Sequence, residues 1–297
     1  MSLLNSEKRI FSGFLFAGLA AVLFGSASVL GKYSLEAMHP LVIAFLAYLT
    51  ATLVSLPFLR RTKSETFQKK DWTLLALITV SGAVVGPVLF FVGLEETSAA
   101  DSAILLNAEI IFSVIFALII FGEKIKKSYG YVAISLIVLG LFIVTTNFEI
   151  SDSIFETNIG NFMIISATLF WALDNNLSKI LSKRIDPAKI VVGKSALGGV
   201  VLLLIVLYLG IPIEIHPEQI SSIVLLGGGA FGLSIFLFLQ ALKRIGTIKT
   251  VLIFSMSSVV GMILASLVLD EQITIFQITA VFLMSLGIYL LYRDEIK

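Results

Sequence analysis

The chain has no cysteine and only two histidines, His39 and His216. The first absence excludes disulfides, thiolate metal sites and a cysteine nucleophile. The second leaves little from which to build histidine catalysis or a histidine-rich metal centre. Charge is scarce too: 14% of the 297 residues are charged, against roughly 25% in an average soluble domain. The formal net charge of +1 gives nucleic acid nothing to attract it. No GxxxxGK[ST] string occurs, so no phosphate-cradling loop of that kind is present. Neither cofactor nor metal is expected.

What is abundant is apolar surface. Hydrophobic residues make up 58% of the chain, more than a soluble protein of this size can hide, so much of the exterior must face lipid. A helix needs roughly 20 apolar residues to cross the hydrocarbon core. Runs of that length cover 11–35, 41–59, 72–94, 101–122, 128–147, 158–182, 188–210, 219–242, 248–269 and 274–292. They lack the alternation of barrel strands, and only helices or closed barrels satisfy their backbone in lipid. The reading is an all-α integral membrane protein of ten spans. Lys8 and Arg9 before an apolar run ending near Ser26-Ala27-Ser28 resemble a signal peptide. That run is as long as a full span and has a counterpart later in the chain, so it is taken as span one.

Basic residues orient such a protein, because they collect on the cytoplasmic side. With the N-terminus inside, all 21 basic residues except Lys32, Lys179 and Lys194 fall in inner segments. The outer loops are acidic, carrying Glu95, Glu96, Glu149, Asp152, Glu156, Glu214 and Glu218. Both termini are then cytoplasmic, and a multi-pass plasma-membrane protein is expected.

The chain also repeats itself. Phe121-Gly122-Glu123-Lys124 at the end of span four answers to Leu269-Asp270-Glu271-Gln272 at the end of span nine, 148 positions on. Leu139-Gly140-Leu141 in span five answers to Leu286-Gly287-Ile288 in span ten. Leu23-Phe24-Gly25 followed by Lys32 and Pro40 answers to Leu169-Phe170-Trp171 followed by Lys179 and Pro187. The halves, 1–148 and 157–297, each hold an odd number of spans and therefore sit in opposite orientation. Inverted repeats mark alternating-access transporters, with the site at the midplane between the repeats.

Phe24-Gly25-Ser26 with Lys32, Trp171-Ala172, Glu109, Gly122-Glu123 and the Leu-Gly pairs of spans five and ten resemble the drug/metabolite transporter superfamily, in particular its ten-span EamA-type members. The resemblance covers nearly the whole chain. It implies export, or in some members uptake, of amino acids, sugars, nucleotide derivatives or drugs. Two positions depart from the family pattern: Ile110 stands where a proline commonly follows the glutamate, and Ala47 or Tyr48 where span two frequently has arginine.

An ionised side chain near the bilayer centre costs about 2.5–3.5 kcal/mol on insertion scales, which makes each one a functional candidate. Glu109 lies near the middle of span four and Asp174 in span six. Trp171, Asp174, Asn175 and Ser178 fall at helical spacing on one face. Glu109 shares a stripe of span four with Ser102 and Ser113, and Ser28 shares one of span one with Gly25 and Lys32. These three faces are expected to converge on a cavity bounded by spans one, three, four, six, eight and nine. Trp171, Asp174, Asn175, Ser178, Glu109, Ser113, Ser28 and Lys32 would contact a small-molecule substrate there. A midplane carboxyl can be protonated facing one side and ionised facing the other, so Asp174 and Glu109 are the proton-coupling candidates. Mixed charges with amides and Trp171 suit a zwitterion such as an amino acid.

Lys179 and Lys194 are read as snorkelling to the inner face. Gln240 is a weaker cavity candidate, and Asn107 is expected to bond a neighbouring helix. Glu123 and Glu271 oppose the dipoles of the helices they end, so each needs a compensating partner. The glycines Gly82, Gly86, Gly227, Gly228, Gly229 and Gly232 read as close helix packing.

The reading is a secondary transporter of small metabolites, monomeric or homodimeric in the bilayer and not an enzyme. A facilitative, nucleotide-sugar or drug transporter of the same fold is the alternative. A membrane enzyme, a channel and a scaffold fit less well. Single cysteines test the orientation, since the native chain has none. A cysteine at Ser153 should react with an impermeant thiol reagent from outside, and one at Thr66 should not. The reverse pattern would overturn the N-inside arrangement.

Overall fold

The computed structural model describes residues 2–61, 66–121, 128–146 and 159–296. Glu123, with Gly122 and Lys124, and the loop acids Glu149, Asp152 and Glu156 lie outside the described residues, as does Ser153. Seven helices are long and apolar enough to cross a membrane: Ile10–Leu35, Pro40–Leu59, Lys69–Glu95, Ala99–Ile120, Tyr129–Thr146, Pro187–Tyr208 and Pro217–Ile245. They are spans one to five, seven and eight. Span six, Ile159–Leu181, has 23 residues but carries Asp174, Asn175, Asn176 and Lys179. Span nine is the pair Thr247–Phe254 and Ser257–Val268, and span ten is Ile275–Ile296. The fold is all-α, ten spans in two five-helix repeats. Ile119 and Leu267 are each 74% exposed and Phe282 67%, so the outer surface presents hydrocarbon to its solvent.

The packing repeats with the chain. Span one lies on span eight, and span six on span three; span two lies on eight, and seven on three; span four lies on six, and nine on one. Spans two and seven, four and nine, and five and ten pack as matched pairs. Exchanging every span for the one five places away maps these packings onto themselves.

The backbone irregularities of spans three and eight, and of four and nine, obey the same exchange. Spans three and eight each contain a wide π-type stretch, Thr79–Val85 and Leu225–Leu233. Such turns leave carbonyls without their usual helical partners and recur at functional sites. The glycines of span eight include the spacing GxGxxG at 227, 229 and 232. They lie inside a helix, not at a strand-to-helix turn, so they cradle no dinucleotide. A side chain at Gly227 would collide with Thr50 and the Ala47 carbonyl of span two, which is the close packing its sequence suggests.

Spans four and nine are each interrupted, at Leu106–Asn107 and at Ser255–Met256. The breaks are bonded to one another: Asn107 Nδ2 donates to Ser258 Oγ at 2.9 Å, and Ser258 Oγ donates to the Ser255 carbonyl at 2.9 Å. This places the expected interhelix bond of Asn107. Span one breaks at Ser26, whose hydroxyl donates back to the Leu23 carbonyl at 2.7 Å.

One end of the bundle gathers both termini, since Gly13 packs against Arg244 and Ile245, and the Tyr129 hydroxyl donates to the Arg293 carbonyl. The far end is held by two charges on one turn. Lys32 Nζ donates to the carbonyls of Leu94 (2.9 Å), Glu95 (3.1 Å) and Thr97 (2.8 Å), the C-terminal end of span three. Glu271 accepts from the Ala99 and Ala100 amides at 2.8 and 2.9 Å, the N-terminal end of span four. Each charge meets the helix end of opposite partial sign, and Glu271 has the compensating partner its position demanded. Gln277 Nε2 adds a bond to Asp101 Oδ1 at 2.7 Å, and Thr97 bonds Asn161 of span six. Glu271→Ala strands two amides, which costs about 1–3 kcal/mol. It should lower the thermal midpoint in detergent more than Glu271→Gln, which keeps one acceptor; equal midpoints for both variants and the parent would refute the clamp.

Candidate functional site

A narrow cavity opens where the two repeats meet. Aromatic rings dominate its walls: Phe24 of span one, Tyr48 of span two, Trp171 of span six, Phe231 and Phe238 of span eight, and Phe254 of span nine. The polar lining is Glu109 of span four, Asp174 and Asn175 of span six, and the backbone of Gly82 in span three. The rings form a continuous wall. Phe24 lies 5.0 Å from Phe254 and 6.1 Å from Trp171, centroid to centroid, and Tyr48 stacks on Phe231 at 5.7 Å.

The π-type stretch of span three organises one wall. Its Gly82 carbonyl accepts from the Tyr48 hydroxyl at 2.5 Å and from Trp171 Nε1 at 3.1 Å. The Asp174 carboxylate occupies the space a side chain at Gly82 would need, so spans three and six approach this closely only because residue 82 is glycine.

Asp174 is part of a buried ion pair. Lys194 Nζ of span seven meets Asp174 Oδ2 at 2.5 Å, and Ser178 Oγ donates to Oδ1 at 2.9 Å. Lys194 is 2% exposed, so it does not snorkel as its place in the sequence suggested. Span seven packs against spans two and three and faces span six, and the lysine has a carboxylate within reach before it has a headgroup. Glu109 is arranged differently. Its Oε1 accepts from Asn175 Nδ2 at 2.6 Å, and no cation is bonded to it among the described residues.

Of the residues singled out from sequence, Trp171, Asp174, Asn175 and Glu109 line the cavity together. Ser178 stands behind them and orients Asp174. Ser28 is buried and shares a hydrogen bond of 3.0 Å with Ser102, joining spans one and four outside the lining. Lys32 belongs to the far-end clamp, and Ser113 is half-buried outside the lining. Gln240 accepts from Arg244 at 2.9 Å. Sequence reasoning sent Lys194 to the headgroups and passed over Tyr48, Phe231, Phe238 and Phe254 as lining. Charge balance was the available signal for Lys194, since a buried carboxylate requires a partner. The rings gave none, because a phenylalanine facing lipid and one facing a cavity are the same letter.

Comparison with known proteins places this geometry. The model of the EamA-like transporter family matches twice, over 11–146 and 158–293. An uncharacterized transporter of Methanothermobacter thermautotrophicus is 31% identical over 296 residues, covering 94% of this chain and 86% of that protein. The uncharacterized transporter YyaM of Bacillus subtilis is 26% identical, covering 90% of this chain and 89% of its own length. A solved crystal structure superposes with a TM-score of 0.71 at 15% identity over 94% of this chain and 96% of its own, which shows a common fold. With both halves matched and a 31% identical relative covered almost end to end, the chain belongs to the EamA-like transporter family.

Proposed function

We propose that this transporter is a gradient-driven exporter in the plasma membrane that moves a small metabolite by alternating access, exchanging it for a proton at Glu109. The observation that carries this is the contrast between the two cavity carboxylates. Asp174 has an internal counter-charge in Lys194, whereas Glu109 has a neutral amide for a partner. A group that must lose and regain a proton in each cycle cannot have its charge permanently neutralised by a fixed cation. Glu109 is therefore the coupling residue, and Asp174 shapes the site.

The geometry supports alternating access in a second way. The far end is closed by the Lys32 and Glu271 clamp, while Asp174, Ile235, Phe238 and Phe254 draw the lining toward the end that carries the termini. Taking that end as cytoplasmic, from its excess of basic residues, the cavity loads from inside. The repeat units 1–148 and 157–297 then rock against each other about the bonded breaks in spans four and nine. Amino acids and related compounds are the starting set for a substrate screen.

Reconstituted vesicles separate the roles. Glu109→Gln should abolish accumulation driven by a pH gradient while leaving counterflow, measured with substrate saturating on both sides, within about threefold of the parent. Accumulation that survives Glu109→Gln would remove the proton from the mechanism. Asp174→Asn behaves differently, because it strands a buried ammonium, at about 3–5 kcal/mol. The single variant should assemble poorly, and adding Lys194→Met should restore the yield of folded protein. If Asp174→Asn alone folds as well as the parent, the ion pair does not hold spans six and seven together.

A further inference from the structure

We infer that the cavity selects a compact organic cation, an ammonium or guanidinium carried on a flat or apolar body, over an anion or a zwitterion. The inference rests on reading this cavity as the transport site, and it narrows the substrate class.

It follows from what the lining still has to offer. Most hydrogen-bond donors around the cavity are already engaged within the protein, and the second N–H of the Asn175 amide is the exception in the lining. Tyr48 and Trp171 both donate to the Gly82 carbonyl, Asn175 donates to Glu109, and Ser178 and Lys194 are turned onto Asp174. A ligand carboxylate, sulfonate or phosphate would therefore meet one amide N–H and no cation of its own, beside the carboxylate of Glu109, and would lose most of its hydration uncompensated. The acceptors are in surplus. Glu109 Oε2 and Asn175 Oδ1 have no bonded partner among the described residues. The ion pair cancels itself, so ionised Glu109 leaves the site with one net negative charge.

The rings point the same way. A cation is attracted to the faces of Trp, Tyr and Phe, and these walls place such rings around the carboxylate. Lys32, the cation that made the site look suited to a zwitterion, is held on the carbonyls at the end of span three, and Lys194 is spent on Asp174 and 2% exposed.

The chain supplies its own reporter. It has two tryptophans, and Trp72 is 55% exposed while Trp171 lines the cavity. Trp72→Phe therefore leaves a protein whose fluorescence comes from the site alone. Purified Trp72→Phe protein in detergent should be titrated with benzyltrimethylammonium, which has no proton to exchange, and with phenylacetate and phenylalanine as the matched anion and zwitterion.

The expected result is a saturable response to the cation, with the other two weaker by about tenfold or more and Glu109→Gln weakening the cation by a similar factor. The inference is overturned if phenylacetate or phenylalanine binds as tightly, if Glu109→Gln leaves the cation unaffected, or if no probe gives saturation. Flux across reconstituted vesicles keeps this failure apart from that of the transport reading. A cation that binds but never crosses overturns transport and leaves the ligand class standing. Crossing by phenylalanine in its place overturns the class and leaves transport standing.

Discussion

The 2.5 Å contact between Asp174 and Lys194 sets the terms for the rest of the site. In lipid there is no water to solvate a stray charge, so an ionised group deep in the bundle has to find its partner in the protein. The pair joins span six to span seven. Its carboxylate packs against span three as closely as only glycine at 82 allows, beside the carbonyl of the π-type stretch on which Tyr48 and Trp171 settle. With that charge cancelled, the neighbouring carboxylate of Glu109 becomes the side chain of the cavity wall whose ionisation is still open to change. On the proposed mechanism, that one fixed pair leaves Glu109 as the group that carries the proton.

Backbone irregularity is the second constraint. A straight helix satisfies every internal carbonyl and has no reason to move. The π-type stretches of spans three and eight and the breaks of spans four and nine give up some of that satisfaction, and the protein recovers part of it through side-chain bonds. Tyr48 and Trp171 restore it at Gly82, and Ser258 restores it at Ser255. Bonds of this kind can be exchanged between two arrangements at little net cost, unlike the continuous ladder of a helix. It is consistent with a rocking mechanism that the breaks of spans four and nine meet each other through Asn107 and Ser258, since a hinge shared by both repeats lets one motion close an end as it opens the other.

Much of this was legible in the sequence because a bilayer imposes a length. An apolar run of a full span can be recognised without knowing what it packs against, so all ten spans and the repeat between them could be read directly. Span six was legible for the opposite reason, since Asp174 and Asn175 stand out against an apolar ground. What could not be read was anything that depends on rotation about a helix axis. Lys194 sits where a lysine could reach the headgroups or turn inward, and only the position of span six decides. Lys32 looked like part of a substrate face, yet the C-terminal carbonyls of span three lie closer to it than the cavity does. The aromatic walls were hidden because 23 phenylalanines serve lipid and cavity alike.

The two repeats share a backbone but not a chemistry. The register that sets Glu123 opposite Glu271 sets Glu109 opposite Ser257, and the register that sets Lys32 opposite Lys179 sets Ala27 opposite Asp174. Neither cavity carboxylate has an acidic counterpart in the other half. Two symmetric carboxylates would give two equivalent loading points and a doubled charge to bury, which the ion pair with a single Lys194 could not offset. On the proposed mechanism a single titrating group at the junction of the repeats serves both faces instead, because rocking about the shared breaks would change which side it sees without moving it far. In that proposal the symmetry of the scaffold supplies the two access states, and its violation at Glu109 and Asp174 leaves one binding site to present to them.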